Sequence, residues 1–335
     1  MAQTQMAALG RLELRLGGVL ADARLAYCSY GQLAPDGRNA ILVTHGFTSS
    51  HQFIEGGGWG SLLGAGQVLD TDRFFVVSSN MLGSSYGSTG PASIDPARGR
   101  PYGPEFPPIT VADMVVAQRR MLEGLGVRQL VAVIGPSYGG FQAFTWGVEF
   151  PDFMRGLVPV ESAPRAQTPF DDTGLLRRLA ADPHWNGGQY YGESAGVRRT
   201  MTGLRIDTLR RYGAEQGLRA QGMGPQEIEA DLLRQARPWA DAFDAHSLLA
   251  LGRAINRYDV TDRLGQIRAR VLYLLSRTDG VFPPSLAPPV MDALRDAGVD
   301  ARYAEIDTEH GHLGSDIDVA RWAPRLSAFL DGLAR

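Results

Sequence analysis

Gly135-Pro136-Ser137-Tyr138-Gly139 carries the strongest chemical signal in the chain. It stands between a β-branched run, Leu130-Val131-Ala132-Val133-Ile134, and a helix-like stretch over 140–150. Glycines two before and two after a serine permit a very tight turn. Such a turn lifts the hydroxyl above a strand end and aims the positive end of the next helix at the reaction centre. A hydroxyl presented this way suits acyl transfer, provided a base takes its proton and an acid holds the base's tautomer. After a serine on a strand-to-helix turn, the acid and then the base are expected further along the chain. Asp279, in Leu275-Ser276-Arg277-Thr278-Asp279-Gly280, follows an apolar run, and His312, in His310-Gly311-His312, follows the last one. Ser137 is therefore read as nucleophile, Asp279 as acid and His312 as base. Glu161, past the preceding strand, is the competing acid, and His310 is the competing base.

Acyl transfer also needs donors for the oxyanion. One is expected from the backbone N–H of Tyr138, directly after the nucleophile. The other is expected from the loop His45-Gly46-Phe47-Thr48, and we assign it to the Phe47 N–H. His45 is read as a structural histidine that braces this loop.

The elements that must position these groups follow from hydrophobic patterning. Residues 12–16 and 24–30 alternate apolar and polar, as antiparallel edge strands do. The runs 41–44, 74–77, 130–134, 157–160 and 271–275 are nearly continuous in apolar residues, as strands buried on both faces are. Residues 301–306 close the series. Helical patterns fall between them over 110–125, 285–297 and 319–333, and Asp113 places negative charge in the first turn of the earliest. The stretch 164–263 breaks the rhythm. It lacks buried-strand runs and shows helical patterns over 173–181, 194–212, 225–236 and 244–258. The expected fold is α/β, the α/β-hydrolase fold: a mainly parallel eight-stranded sheet flanked by helices, with an inserted helical cap. Residues 1–163 and 264–335 would form the core and 164–263 the cap. The region 81–108 is a long loop rich in Gly, Pro and Ser, of the kind that often serves function.

Composition narrows the field. The 335 residues carry a net charge of −3 and no polyanion-binding signature, so nucleic acid is not an expected partner. All 33 basic residues are arginine, which rules out a lysine base or Schiff base. The single cysteine, Cys28, permits no internal disulfide. No signal-peptide pattern and no membrane-length apolar stretch is present, so a cytoplasmic location is expected. No metal and no bound cofactor is expected.

Further residues match a family. Asp70-Thr71-Asp72-Arg73-Phe74-Phe75-Val76, Gly87-Ser88-Thr89-Gly90-Pro91-Ala92-Ser93 and Phe106-Pro107-Pro108-Ile109-Thr110-Val111-Ala112-Asp113-Met114 are marks of it. So are Phe282-Pro283-Pro284 and Phe243-Asp244-Ala245-His246-Ser247-Leu248. Over nearly its whole length the chain resembles the homoserine O-acetyltransferase branch of the α/β-hydrolases, including its ester-hydrolysing members. The resemblance implies ping-pong chemistry through an acyl-serine, with Ser137, Asp279 and His312 matching the family's triad. It also implies a helical cap through which two copies form a homodimer. Two departures stand out. Tyr86 occupies the place of an arginine before Gly-Ser-Thr-Gly-Pro, and the family's Thr-Tyr-Arg-Ser-like cap segment reads Gly203-Leu204-Arg205-Ile206-Asp207. Tyr86 and Arg205 are the candidate substrate-binding residues. Arg198, Arg199, Arg210 and Arg211 are further candidates for an anionic substrate or the phosphates of coenzyme A. A tyrosine does not neutralise an amino-acid acceptor's carboxylate, so the leading expectation is hydrolysis of small acyl esters. The alternative is acetyl transfer from acetyl-CoA, as co-substrate, to homoserine or another alcohol.

Overall fold

The computed structural model describes residues 3–192 and 196–333. Eight strands form one sheet: β1 (Gln5–Glu13), β2 (Val19–Tyr30), β3 (Ala40–Thr44), β4 (Phe75–Ser79), β5 (Leu130–Pro136), β6 (Met154–Val160), β7 (Arg270–Ser276) and β8 (Ala301–Ile306). Their order across the sheet is 1-2-4-3-5-6-7-8. β1 pairs antiparallel with β2, and β2 antiparallel with β4. All later pairings are parallel. The chain is thus α/β with a mainly parallel sheet, as its patterning predicts. β3 and β5 are covered on both faces and carry uninterrupted apolar runs for that reason.

Nine helices of seven residues or more accompany the sheet among the described residues: α1 (Val111–Gly124), α2 (Tyr138–Glu149), α3 (Asp172–Ala180), α4 (Arg198–Arg211), α5 (Ala214–Ala220), α6 (Pro225–Ala242), α7 (Ala245–Ile255), α8 (Ala287–Asp296) and α9 (Ala323–Leu333). Two apolar clusters hold the layers together. One packs Met114, Val115, Phe144 and Trp146 against the sheet, and the other packs Trp59, Trp322, Leu326 and Leu330 against its opposite face. Burying each such side chain contributes roughly 1.5–3 kcal/mol. Asp113 does more at α1 than lend charge. Thr110 Oγ1 accepts from Asp113 N (3.2 Å), and Asp113 Oδ2 accepts from Thr110 N (2.8 Å), closing a capping box.

Three departures from the expectation have a local cause. β1 spans Gln5–Glu13 instead of 12–16, because Leu14, Arg15 and Leu16 enter a hairpin closed by Gly17 and Gly18 at φ 86° and 91°. The last helical segment is split. A single turn at Val319–Arg321 precedes α9, since Pro324, near the N-terminus of α9, has no N–H and its ring blocks a helix running through from residue 320. α5 was not anticipated, and Gly213 at φ 93° separates it from α4. The expected start of the 194–212 helix falls outside the described residues.

Candidate active site

Ser137 sits at φ 54°, ψ −117°, between β5 and α2. A non-glycine residue enters that region at a cost, so its surroundings must hold it there. Ser137 N donates to Val160 O of β6 (2.8 Å), and Ser162 Oγ donates to Ser137 O (2.8 Å). The flanking glycines are required by close approach. A Cβ on Gly135 would lie 2.1 Å from Thr44 Oγ1, and one on Gly139 would lie 2.4 Å from Thr44 O. Tyr138 opens α2, where the first N–H groups have no partner within the helix. The loop after β3 lies against this turn, for a Cβ on Gly46 would come within 3.8 Å of Ser137 Cβ. Phe47 stacks on Tyr138 with ring centroids 5.8 Å apart. The two expected oxyanion donors therefore come from segments packed together beside Ser137.

Asp279 and His312 meet. His312 Nδ1 lies 2.7 Å from Asp279 Oδ2, while Asp279 Oδ1 accepts from Val281 N (2.7 Å) and Phe282 N (3.1 Å). A proton on Nδ1 leaves Nε2 as the free acceptor. Burial opposes the charged imidazole, but the hydrogen bond and charge of Asp279, joined by Glu161, hold its pKa above the ordinary histidine value. Glu161 does not take the place of Asp279. Its carboxyl bonds Ser276 and Ser315. His310 is not the partner of Asp279 either; its Nε2 lies 4.0 Å from Asp318 Oδ2.

His45 is fully buried. Its Nδ1 contacts Gly46 O at 2.8 Å and its Nε2 contacts Asn80 Oδ1 at 2.9 Å and Met81 N at 3.2 Å, which ties the loop after β3 to the start of the 81–108 loop. Burial pulls its pKa down to about 4, so it stays neutral and structural.

A cleft of about 430 Å³ opens over these groups, lined among others by Gly46, Phe47, Thr48, Ser137, Glu161, Arg205, Tyr212 and His312. Of the five arginines singled out in the helical insertion, Arg205 alone lines it. Arg198 pairs with Asp241 (3.2 Å), and Arg210 pairs with Glu215 (3.1 Å) and with Glu229. Arg205 donates from Nη1 to Thr48 Oγ1 (2.7 Å) and lies over the Trp239 ring, 5.4 Å from its centroid. No carboxylate among the described residues lies within 4 Å of its nitrogens, and its buried Nε has no partner there. Tyr86, at φ 67°, packs edge-on against Phe243 (5.9 Å). Burial raises its pKa, and the charge of Arg205 opposes that rise, which marks the two as neighbours. Tyr212 escaped the sequence reading. It packs 4.8 Å from the His312 ring. Its signal was available, since it follows Arg205 by seven residues, about two helical turns, and so, at the C-cap of α4, continues the face that carries Arg205. Among the described residues no group of three or more His, Cys, Asp or Glu is placed to hold a metal ion. No helix among them is long and apolar enough to cross a membrane.

The fold agrees with comparisons to known proteins. The family profile of the alpha/beta hydrolase fold matches residues 39–313. Homoserine O-acetyltransferase of Moorella thermoacetica is 37% identical, covering 96% of this chain and 94% of that protein. Homoserine O-succinyltransferase of Methylibium petroleiphilum is also 37% identical, covering 96% and 92%. The crystal structure of esterase E22 superposes with a TM-score of 0.87 at 25% identity, covering 98% of this chain and 100% of that one. The chain belongs to the α/β-hydrolase family, in the branch that holds the homoserine O-acyltransferases. That makes it an enzyme of the acyltransferase or esterase kind.

Proposed function

We propose that the protein transfers a small acyl group from an acyl-CoA to a hydroxyl of an acceptor bearing a carboxylate, homoserine foremost, through an acyl-Ser137 intermediate. The observation that carries this reading is Arg205, a cation without a carboxylate partner among the described residues, in the cleft that Ser137 and His312 line. A partly desolvated guanidinium gains most from a bidentate carboxylate. Tyr86 supplies no charge, and Arg205 supplies it from the insertion instead. This shifts the balance from water, favoured by Tyr86 alone, to a charged acceptor. The names of the two relatives point the same way.

In the first half-reaction Ser137 Oγ attacks the thioester carbonyl while His312 Nε2 takes its proton. The developing oxyanion is met by the N–H groups of Tyr138 and Phe47. His312 returns the proton to the leaving thiolate, and coenzyme A departs. In the second half, Arg205 holds the acceptor's carboxylate, His312 deprotonates its hydroxyl, and that oxygen takes the acyl group from Ser137. Asp279 keeps the Nδ1 tautomer and stabilises the imidazolium at each step. Residues 164–263 act as a cap over the core and form the homodimer contact.

Hydrolysis, with water in the second half, is the other reading, supported by Tyr86 and by the likeness to esterase E22. Acetyl-CoA is supplied with and without L-homoserine, and free thiol and O-acetyl product are followed, with a simple aryl acetate in parallel. Thiol release that depends on homoserine and matches O-acetylhomoserine supports transfer. Acetate as the main product at saturating homoserine overturns it in favour of hydrolysis.

A further inference from the structure

Glu161 is a buried carboxyl group beside His312 that the steps above do not use. It lies at φ 47°, where a residue with a Cβ is held at a cost of about 1–2 kcal/mol. The chain leaves β6 here, and Glu161 N donates to Leu274 O of β7 (2.7 Å). The side chain receives three donors. Ser276 Oγ and Ser315 N (2.9 Å) reach Oε1, and Ser315 Oγ reaches Oε2 (2.6 Å).

Those donors belong to the two segments that present the acid and the base. Ser276 ends β7, and its carbonyl accepts from Asp279 N at 3.1 Å. Ser315 lies three residues beyond His312, in the helical turn Gly314–Ile317, and its carbonyl accepts from Trp322 Nε1 at 2.9 Å. One carboxyl group therefore ties the strand end that presents Asp279 to the turn that presents His312. A carboxylate accepts all three bonds as they stand, whereas a carboxylic acid must donate one, which requires a serine hydroxyl to turn away.

We propose that ionised Glu161 is a positioning residue: it clamps Ser276 to Ser315 and sets negative charge beside His312 that favours the imidazolium formed at each transfer. The proposal rests on His312 being the base. Three observations support the electrostatic part. Asp279 and His312 are the charged groups that face Glu161. Asp279 bonds His312 directly, the Tyr212 ring packs on it, and Arg205 and Asp316 stand further round the same cleft. Burial pushes Glu161 up to about 7, with Asp279 adding to the rise and His312 and the serine hydroxyls opposing it. The sign follows. Above about pH 7 Glu161 is negative and raises the proton affinity of His312; below it Glu161 is neutral and that support is lost.

The test is Glu161→Gln, which keeps the shape and an accepting oxygen but removes the charge. Histidine-labelled protein is titrated by NMR without substrate, with the His312 signal assigned by its absence in His312→Gln. The expected result is a His312 midpoint lower by about one pH unit, as for loss of one nearby opposite charge. With an aryl acetate at pH 8, kcat is expected to fall about tenfold, KM to hold and the acid limb of the pH profile to move down with the midpoint. Ser315→Ala removes one bond and keeps the charge, so it should lower kcat by a few-fold and leave the midpoint in place. An unmoved midpoint in the glutamine variant, or a kcat loss that is the same at every pH, overturns the proposal. Because the titration needs no acyl donor or acceptor, its outcome is independent of which acceptor resolves the acyl-enzyme.

Discussion

Arg205→Met tests how the cleft selects its acceptor. Methionine roughly fills the space over Trp239, so the packing survives while the charge and the bond to Thr48 Oγ1 are lost. Thr48 lines the cleft, where water can replace the lost partner, and removing a partly buried, uncompensated charge costs the fold little. Function should respond strongly. Two unit charges about 4 Å apart at an effective dielectric near 20 attract by about 4 kcal/mol. The cleft is open to solvent, so we take about 2–3 kcal/mol, equivalent to a roughly 30- to 150-fold loss in kcat/KM for homoserine. Hydrolysis of a neutral aryl acetate uses no carboxylate and should stay within a few-fold of wild type. The assay is thiol release from acetyl-CoA across a range of homoserine concentrations, with ester hydrolysis run on the same preparation. Equal losses on both substrates would mean that Arg205 supports the fold of the cleft and not the acceptor. A homoserine kcat/KM close to wild type would refute the reasoning outright.

Other consequences are simple to check. Asp279→Asn should lose about 10³- to 10⁴-fold in kcat on any acyl substrate, because asparagine favours the wrong imidazole tautomer. His310→Gln should remain close to wild type while His312→Gln loses nearly all turnover, and the reverse order in steady-state assays would reassign the base. Light scattering at micromolar concentration should report a homodimer, and a monomer there would remove the proposed contact through residues 164–263.

Much of the architecture was legible because parallel strands buried on both faces leave continuous apolar runs, as at Ile41-Leu42-Val43-Thr44 and in β5. Local chemistry decided the exceptions. The alternation at Leu12-Glu13-Leu14-Arg15-Leu16 looks like a strand, but Gly17 and Gly18 in left-handed conformations turn the chain there. Val319 and Trp322 are apolar at helical spacing, yet Pro324 sets where α9 can begin. At the site, the order of Ser137, Asp279 and His312 in the chain leads to the expectation that they share one site, and the structure sets Asp279 against His312 and places Ser137 and His312 in one cleft. Chain order favours Asp279 over Glu161 without excluding it, because both follow a strand; the structure sets Asp279 against His312 Nδ1 and Glu161 against Ser276 and Ser315. Tyr86 was legible as a missing cation. Arg205 was legible only as one of five candidate arginines, because what sets it apart is which face of α4 turns into the cleft and Thr48 and Trp239, both distant in sequence, holding the guanidinium there.

The central claim is that acyl groups pass through Ser137, and it can be tested by trapping the intermediate. Protein mixed with acetyl-CoA in the absence of acceptor, quenched in acid within the first turnover and digested, should yield the peptide containing Ser137 heavier by one acetyl group. Adding L-homoserine before the quench should discharge that label into product, and Ser137→Ala should acquire no label and show no turnover. Turnover that continues in Ser137→Ala, or a label carried by another residue and discharged by homoserine, would contradict the account.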